Sequence, residues 1–198
     1  MDLSAPLDAM SEKVTPTRLN NIWDVNRFPL TIKVPGDMED VHGYAIDEVA
    51  QEWNSALGMT VFTVEFDYDF EVTDVNDQND LLAYSDGTIP IFFQEEWSKV
   101  SNDDDLIGIA YMFTTDGEIR KGGIAISLGK VEMTDDDDNG EVPLDEVDFQ
   151  SLLLHELGHV LGFDHAEEED SAMNATIFYG KAVQQLSPRD LERVYSKY

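Results

Sequence analysis

Apolar and polar side chains alternate over residues 29–34, and their β-branched content predicts a strand. Val41, Ala45, Ile46, Val49, Ala50, Trp53, Ala56 and Leu57 follow, mostly at spacings of three and four. That period predicts an amphipathic helix over 38–57, with Asp37 at its N-cap and Gly58 as its stop. Further strands are predicted at 59–66, 88–93, 107–114 and 123–128, with a turn at Asp116-Gly117. A second long helix is predicted over 149–161, capped by Asp148. A last helix begins at Ser187-Pro188, where Ser caps and Pro suits the first turn. Residues 67–87 and 132–141 are acidic and read as surface segments. Residues 1–27 are polar, lack a period, and read as an N-terminal extension or short pro-segment. The order strand, helix, four strands, helix, loop, helix predicts an α/β (α+β) fold: one mixed five-stranded twisted sheet with three helices packed on it.

Composition narrows the class. The chain has 198 residues, enough for one domain, and 42% of them are hydrophobic, enough to build a core. With 12 Lys and Arg against 42 Asp and Glu, the formal charge is −30. Such a surface repels phosphate backbones and anionic membranes, so neither nucleic acid nor a lipid surface is expected as a partner. No apolar run approaches the roughly 20 residues of a membrane span. Cysteine is absent, which excludes disulfides, thiol nucleophiles and thiolate metal sites. The N-terminus lacks the basic and apolar regions of a signal peptide, so the chain reads as cytosolic or as a mature form whose leader is missing.

Three of the four histidines fall within residues 155–165, which read His-Glu-Leu-Gly-His-Val-Leu-Gly-Phe-Asp-His. On a helix, His155 and His159 lie one turn apart on the same face and can share a tetrahedral zinc ion. Glu156 sits at the edge of that face, placed to take a proton from water at the metal without ligating it. Gly162 suits a left-handed helix end, and the resulting turn lets His165 fold back as a third ligand. Three neutral imidazoles leave a fourth position open, the mark of a catalytic zinc rather than a structural one.

His155, Glu156, His159, Gly162 and His165 match the H-E-x-x-H-x-x-G-x-x-H pattern, and the chain resembles the metzincin metallopeptidases. Ser171-Ala172-Met173-Asn174, with Met173 eight residues after His165, resembles the Met-turn of that clan. The spacing is similar to the matrixin branch, which contains the matrix metalloproteinases and their bacterial relatives. Ala175 stands where astacins and serralysins place a zinc-binding tyrosine. Leu186-Ser187-Pro188-Arg189-Asp190-Leu191 resembles the start of the last matrixin helix, with Asp190 matching the second of its paired aspartates.

The resemblance implies a zincin-like catalytic domain over 28–198 and a zinc endopeptidase of bacterial, minimal type acting on peptide or protein substrates. It implies one zinc held by His155, His159 and His165, with Glu156 as general base. Met173 would lie beneath the site and Asp190 would brace the Met-turn. Strand 107–114, with Ile109, Ala110 and Tyr111, would face an extended substrate by β-augmentation. Asn174, Ala175 and Tyr179 would wall the pocket for the side chain after the scissile bond. The family also implies a secreted, cell-surface or periplasmic location, and the expected state is a monomer.

The departures matter as well. Vertebrate matrixins hold a second, structural zinc through three histidines and an aspartate. The remaining histidine here is His42, in the first helix, so that zinc is expected to be absent. A cysteine switch is impossible, and Asp2, Asp8 or Asp24 is the residue available for that task. Asp135, Asp136, Asp137 and Asp138 offer the hard oxygen ligands that calcium prefers, so calcium is a second candidate cofactor. Two other readings stay open: a non-catalytic zinc-binding or partner-binding protein, and a zinc hydrolase of a non-peptide amide.

Overall fold

In the computed structural model, which describes residues 21–70, 75, 78–85, 87–103, 105–135 and 141–198, the chain enters the sheet twice before its first helix. A two-residue strand β1 (Ile22–Trp23) comes first, then β2 (Leu30–Pro35). The long helix α1 (Glu39–Leu57) leads into β3 (Phe62–Asp67). A short helix α2 (Gln78–Ala83) precedes β4 (Thr88–Gln94), β5 (Gly108–Thr115) and β6 (Glu118–Ser127). Strands β7 (Glu132–Thr134) and β8 (Glu146–Asp148) form a separate parallel pair, followed by α3 (Phe149–Val160) and α4 (Pro188–Lys197).

The five expected strands are present and form one mixed sheet. Strand β2 pairs in parallel with both β3 and β4, and β4 pairs in parallel with β6. Strand β1 pairs in parallel with β6 through Ile22 and Trp23, on the edge of β6 that β4 also uses. Strand β5 runs antiparallel along the other edge of β6, and among the described residues it pairs with no other strand. The β5–β6 connection is Asp116-Gly117, with φ of 55° and 79°. Two positive φ values make the mirror-image turn whose twist suits a tight hairpin, which explains the Asp-Gly sequence. Strand β6 starts at Glu118, five residues before the expected 123, because the hairpin extends its pairing.

The three expected helices are present, with α2 added inside the 67–87 segment. Gly58 ends α1 in a left-handed conformation, φ 64°. Asp37 is not its cap: residues Gly36–Met38 form a 3-10 turn that runs directly into α1, whose N-cap is Met38 without a side-chain bond. Asp37 thus lies inside that turn rather than ahead of the helix, and Gly36 beside it packs so close to Tyr68 that a Cβ would meet the ring at 2.5 Å. Asp148 caps α3 through the Ser151 amide, and Ser187 and Asp190 form a capping box on α4 with Pro188 at its start.

Every residue of α3 is buried, between the sheet and α1. The Trp53 indole of α1 donates to the Leu154 carbonyl at 3.2 Å and stacks on Phe163. Trp23 also buries its ring and donates from Nε1 to the Val160 carbonyl at 2.8 Å, so the end of the polar N-terminal stretch braces the same helix. A smaller core gathers Phe70, Val75, Phe92, Trp97, Leu106, Ile109 and Tyr111. The acidic 67–87 segment therefore carries its own apolar anchors. Among the described residues no helix is long and apolar enough to cross a membrane.

Candidate metal centre

The site is built from the end of α3 and the loop after it. Leu161 caps the helix, and Gly162 follows at φ 84°. A Cβ at Gly162 would meet the Asn21 carbonyl at 2.3 Å, so conformation and space both demand glycine there. The Phe163 amide closes the turn on the Gly158 carbonyl at 2.9 Å, and the chain reverses to bring His165 over the helix face.

The three imidazoles converge. His159 Nε2 lies 3.0 Å from His155 Nε2 and 3.1 Å from His165 Nε2. Among the described residues this is the group of three or more metal-binding side chains whose ligand atoms lie mutually close, all within 4.8 Å. His155 Nδ1 donates to the Ala172 carbonyl at 2.9 Å, and His159 Nδ1 donates to the Phe163 carbonyl at 2.7 Å. Those bonds place the ring proton on Nδ1 and turn the Nε2 lone pairs inward, the tautomer a metal requires. Burial, followed by the neighbouring rings, holds the His155 imidazole well below its usual range; His159 is lowered to about 4 by the same order of causes, against the opposing carbonyl bond. Both rings are therefore neutral at pH 7. Inward lone pairs about 3 Å apart repel unless a cation lies between them, and tetrahedral zinc with nitrogens at ~2.0–2.1 Å would hold its ligands at about that separation. The residues present fit zinc.

Glu156 is 5% exposed, and a Cβ on Gly108 would stand 2.8 Å from its Oε1. The carboxylate thus faces the first residue of β5, beside the metal ligands. Met173 is buried, with its sulfur so near Gly158 that a Cβ there would meet it at 2.2 Å. Gly158, which sequence reasoning passed over, is what lets the Met173 side chain lie directly against the helix carrying both histidines. Asp190 accepts from Ser171 Oγ at 2.5 Å and from the Ala172 amide at 3.0 Å, and Ser171 Oγ accepts from the Met173 amide. Asp190 therefore grips the strand of backbone whose Ala172 carbonyl anchors His155.

The expected cleft residues have mixed placements. Ile109 and Tyr111 turn their side chains into the smaller core, with the Tyr111 hydroxyl donating to the Val100 carbonyl. Ala110 packs against the main core. Asn174 donates to the Glu168 carbonyl and accepts from the Thr176 amide, shaping the loop after Met173. Ala175 and Tyr179 are half-buried. Below this loop lies a cavity of about 10 Å³, lined by Ser151, Ala172, Thr176, Ile177 and Phe178 among others. Of the calcium candidates, Asp135 faces His42 at 2.9 Å, while Asp136, Asp137 and Asp138 lie outside the described residues, as do Asp2 and Asp8. Asp24 caps a short turn by accepting from the Asn26 amide.

A buried helix with two carbonyl-anchored imidazoles, completed from its own returning loop, is the construction of a metzincin zinc peptidase. The matrixin family model matches residues 37–198, and the chain belongs to that family. The metalloendoproteinase 2-MMP of Arabidopsis thaliana is 40% identical over 52 residues, which is 26% of this chain and 14% of that protein.

Proposed function

We propose that this chain is a zinc endopeptidase that hydrolyses protein substrates, with Glu156 as its general base. The observation that carries this is a nearly buried carboxylate, next in sequence to the first of the converging histidines, that faces the first residue of β5. When bound by His155, His159 and His165, zinc would lower the pKa of a water molecule and polarise the scissile carbonyl. An extended peptide would pair with the backbone of Ile109, Ala110 and Tyr111 along β5. Glu156 would accept the proton of the attacking water and return it to the leaving amine. Asn174, Ala175 and Tyr179 would wall the pocket for the following side chain. The cavity beneath has room for about one water molecule.

Matrixins are typically extracellular, and we extend that to this chain as a secreted, surface or periplasmic monomer. Calcium in the acidic run from Asp135 to Asp138 is supported by its oxygen donors. It predicts a higher melting temperature in low millimolar calcium than in equal magnesium. The reading of activity is tested by digesting a peptide library with zinc-loaded protein. Internal cleavage, abolished by chelation and restored by zinc, is expected. An intact library, or cleavage that ignores the chelator, would contradict it. Hydrolysis of small amides alone would favour the non-peptide hydrolase.

A further inference from the structure

The backbone that carries the third histidine is held from α4. Arg189, Arg193 and Lys197 stand at i, i+4 and i+8, so one edge of that helix presents three of the chain's 12 cationic side chains. All three reach the segment from Phe163 to Glu168. Arg189 pairs with the Glu168 carboxylate. Arg193 Nη2 donates to the Asp164 carbonyl at 2.6 Å and to the His165 carbonyl at 3.4 Å. Lys197 Nζ lies 5.4 Å from the centre of the Phe163 ring, whose own carbonyl anchors His159. In a chain of net charge −30, three cations aligned on one loop mark a specific clasp rather than a solvated face.

We infer that Arg193 is a positioning residue for the metal centre, fixing the main chain of His165 so that its ring meets those of His155 and His159. The chemistry suits the task. A guanidinium carries several donors in a rigid plane, so it can hold two successive carbonyls from one side chain, which a lysine ammonium does less well. Its other terminal nitrogen lies 4.0 Å from Asp190 Oδ1. Asp190 in turn fixes Ala172, the anchor of His155. Two residues three apart on α4 thus address two different ligands. Asp190 works through the Met173 loop and Arg193 through the loop of His165. Partners that orient metal ligands in this way typically change metal affinity by about 10–100-fold when removed.

The inference rests on zinc at the histidine triad, so its test measures zinc and needs no substrate. Zinc-loaded parent, Arg193→Ala and Arg193→Lys are mixed with excess chromogenic chelator, and the first-order release of zinc is followed. Arg193→Ala should release zinc about 10–100 times faster than the parent. Arg193→Lys, which keeps the charge and one donor group, should be slower than Arg193→Ala by at least about threefold on the same scale. The metal-free proteins should melt within a few degrees of one another. If Arg193→Ala is unfolded at the assay temperature, Arg193→Met, which keeps the stem, takes its place with the same expectation. Release within twofold of the parent, or equal release from the Lys and Ala variants, would overturn the positioning role. A parent that binds no zinc would instead overturn the reading of the metal site.

Discussion

The four histidines of this chain sit in two environments, three converging on one point and one packed among aromatic rings. In the triad, His155 and His159 donate from Nδ1 to main-chain carbonyls, and their Nε2 atoms point at one another. His42 on α1 instead donates from Nδ1 to the Asp135 carboxylate at 2.9 Å. Its ring stacks on Phe149 with centroids 4.0 Å apart, and Phe93 lies beyond at 5.7 Å. Phe149 is the first residue of α3, so His42 buttresses the start of the helix whose far end carries two ligands. A carbonyl or a carboxylate on Nδ1 leaves the same lone pair on Nε2, so the difference lies in the surroundings: three Nε2 atoms converge in the triad, whereas His42 packs on Phe149 and Phe93 away from the other histidines. Identity alone does not assign a histidine; its neighbours do.

The largest expected effect comes from the residue beside the triad. Glu156→Gln should retain zinc and lower peptide cleavage by about 10²–10⁴-fold, because the base is lost while the ligands remain. Equal cleavage by parent and variant, measured at equal zinc content, would refute the assignment. Acid should next separate the two environments. His155 and His159 stand below the ordinary imidazole pKa of 6.5 in the folded chain, the latter at about 4. Between those values the unfolded chain binds more protons, so the metal-free protein is most stable above pH 6.5 and loses that contribution as pH falls towards 4. Asp148, raised by burial, acts in the opposite sense nearer the carboxylate range. A denaturation midpoint of the chelated protein that stays flat from pH 7 to 4.5 would contradict the buried neutral pair of His155 and His159.

His42 sets the smaller end of the scale. His42→Ala removes the stacked contact and leaves Asp135 without that donor, at a cost of about 1–3 kcal/mol. His42→Phe keeps the stacking and should cost less. Neither variant should change zinc content, and a loss of zinc in either would erase the distinction between the two environments.

The metal centre was legible because its information is local. The i, i+4 pair, the glycine that permits the reversal and the third histidine all lie within residues 155–165. The Met173 turn and Asp190 came through the family resemblance, and their hydrogen bonds did not come through at all. What escaped the sequence depends on partners far along the chain. Ile22 and Trp23 sit in a polar stretch and gain a strand only from β6, nearly a hundred residues later. The first half of β6, Glu118 to Gly122, has no clear alternation and is defined by its hairpin. Phe70 and Val75 looked like isolated apolar residues in an acidic segment until Phe92 and Trp97 gathered them. Asp135 read as a cation ligand by composition, yet its described contact is His42. Arg193 gave no signal at all, because its role requires knowing that α4 faces the His165 loop.

The central claim is that His155, His159 and His165 hold one zinc with an open position while His42 takes no part. X-ray absorption on zinc-loaded protein, with metal content measured on the same sample, tests it most directly. One zinc per chain is expected, with a first shell of three imidazole nitrogens plus one light atom at about 2.0–2.1 Å, unchanged in His42→Phe. Two zinc ions per chain, or a shell that loses an imidazole in His42→Phe, would contradict it.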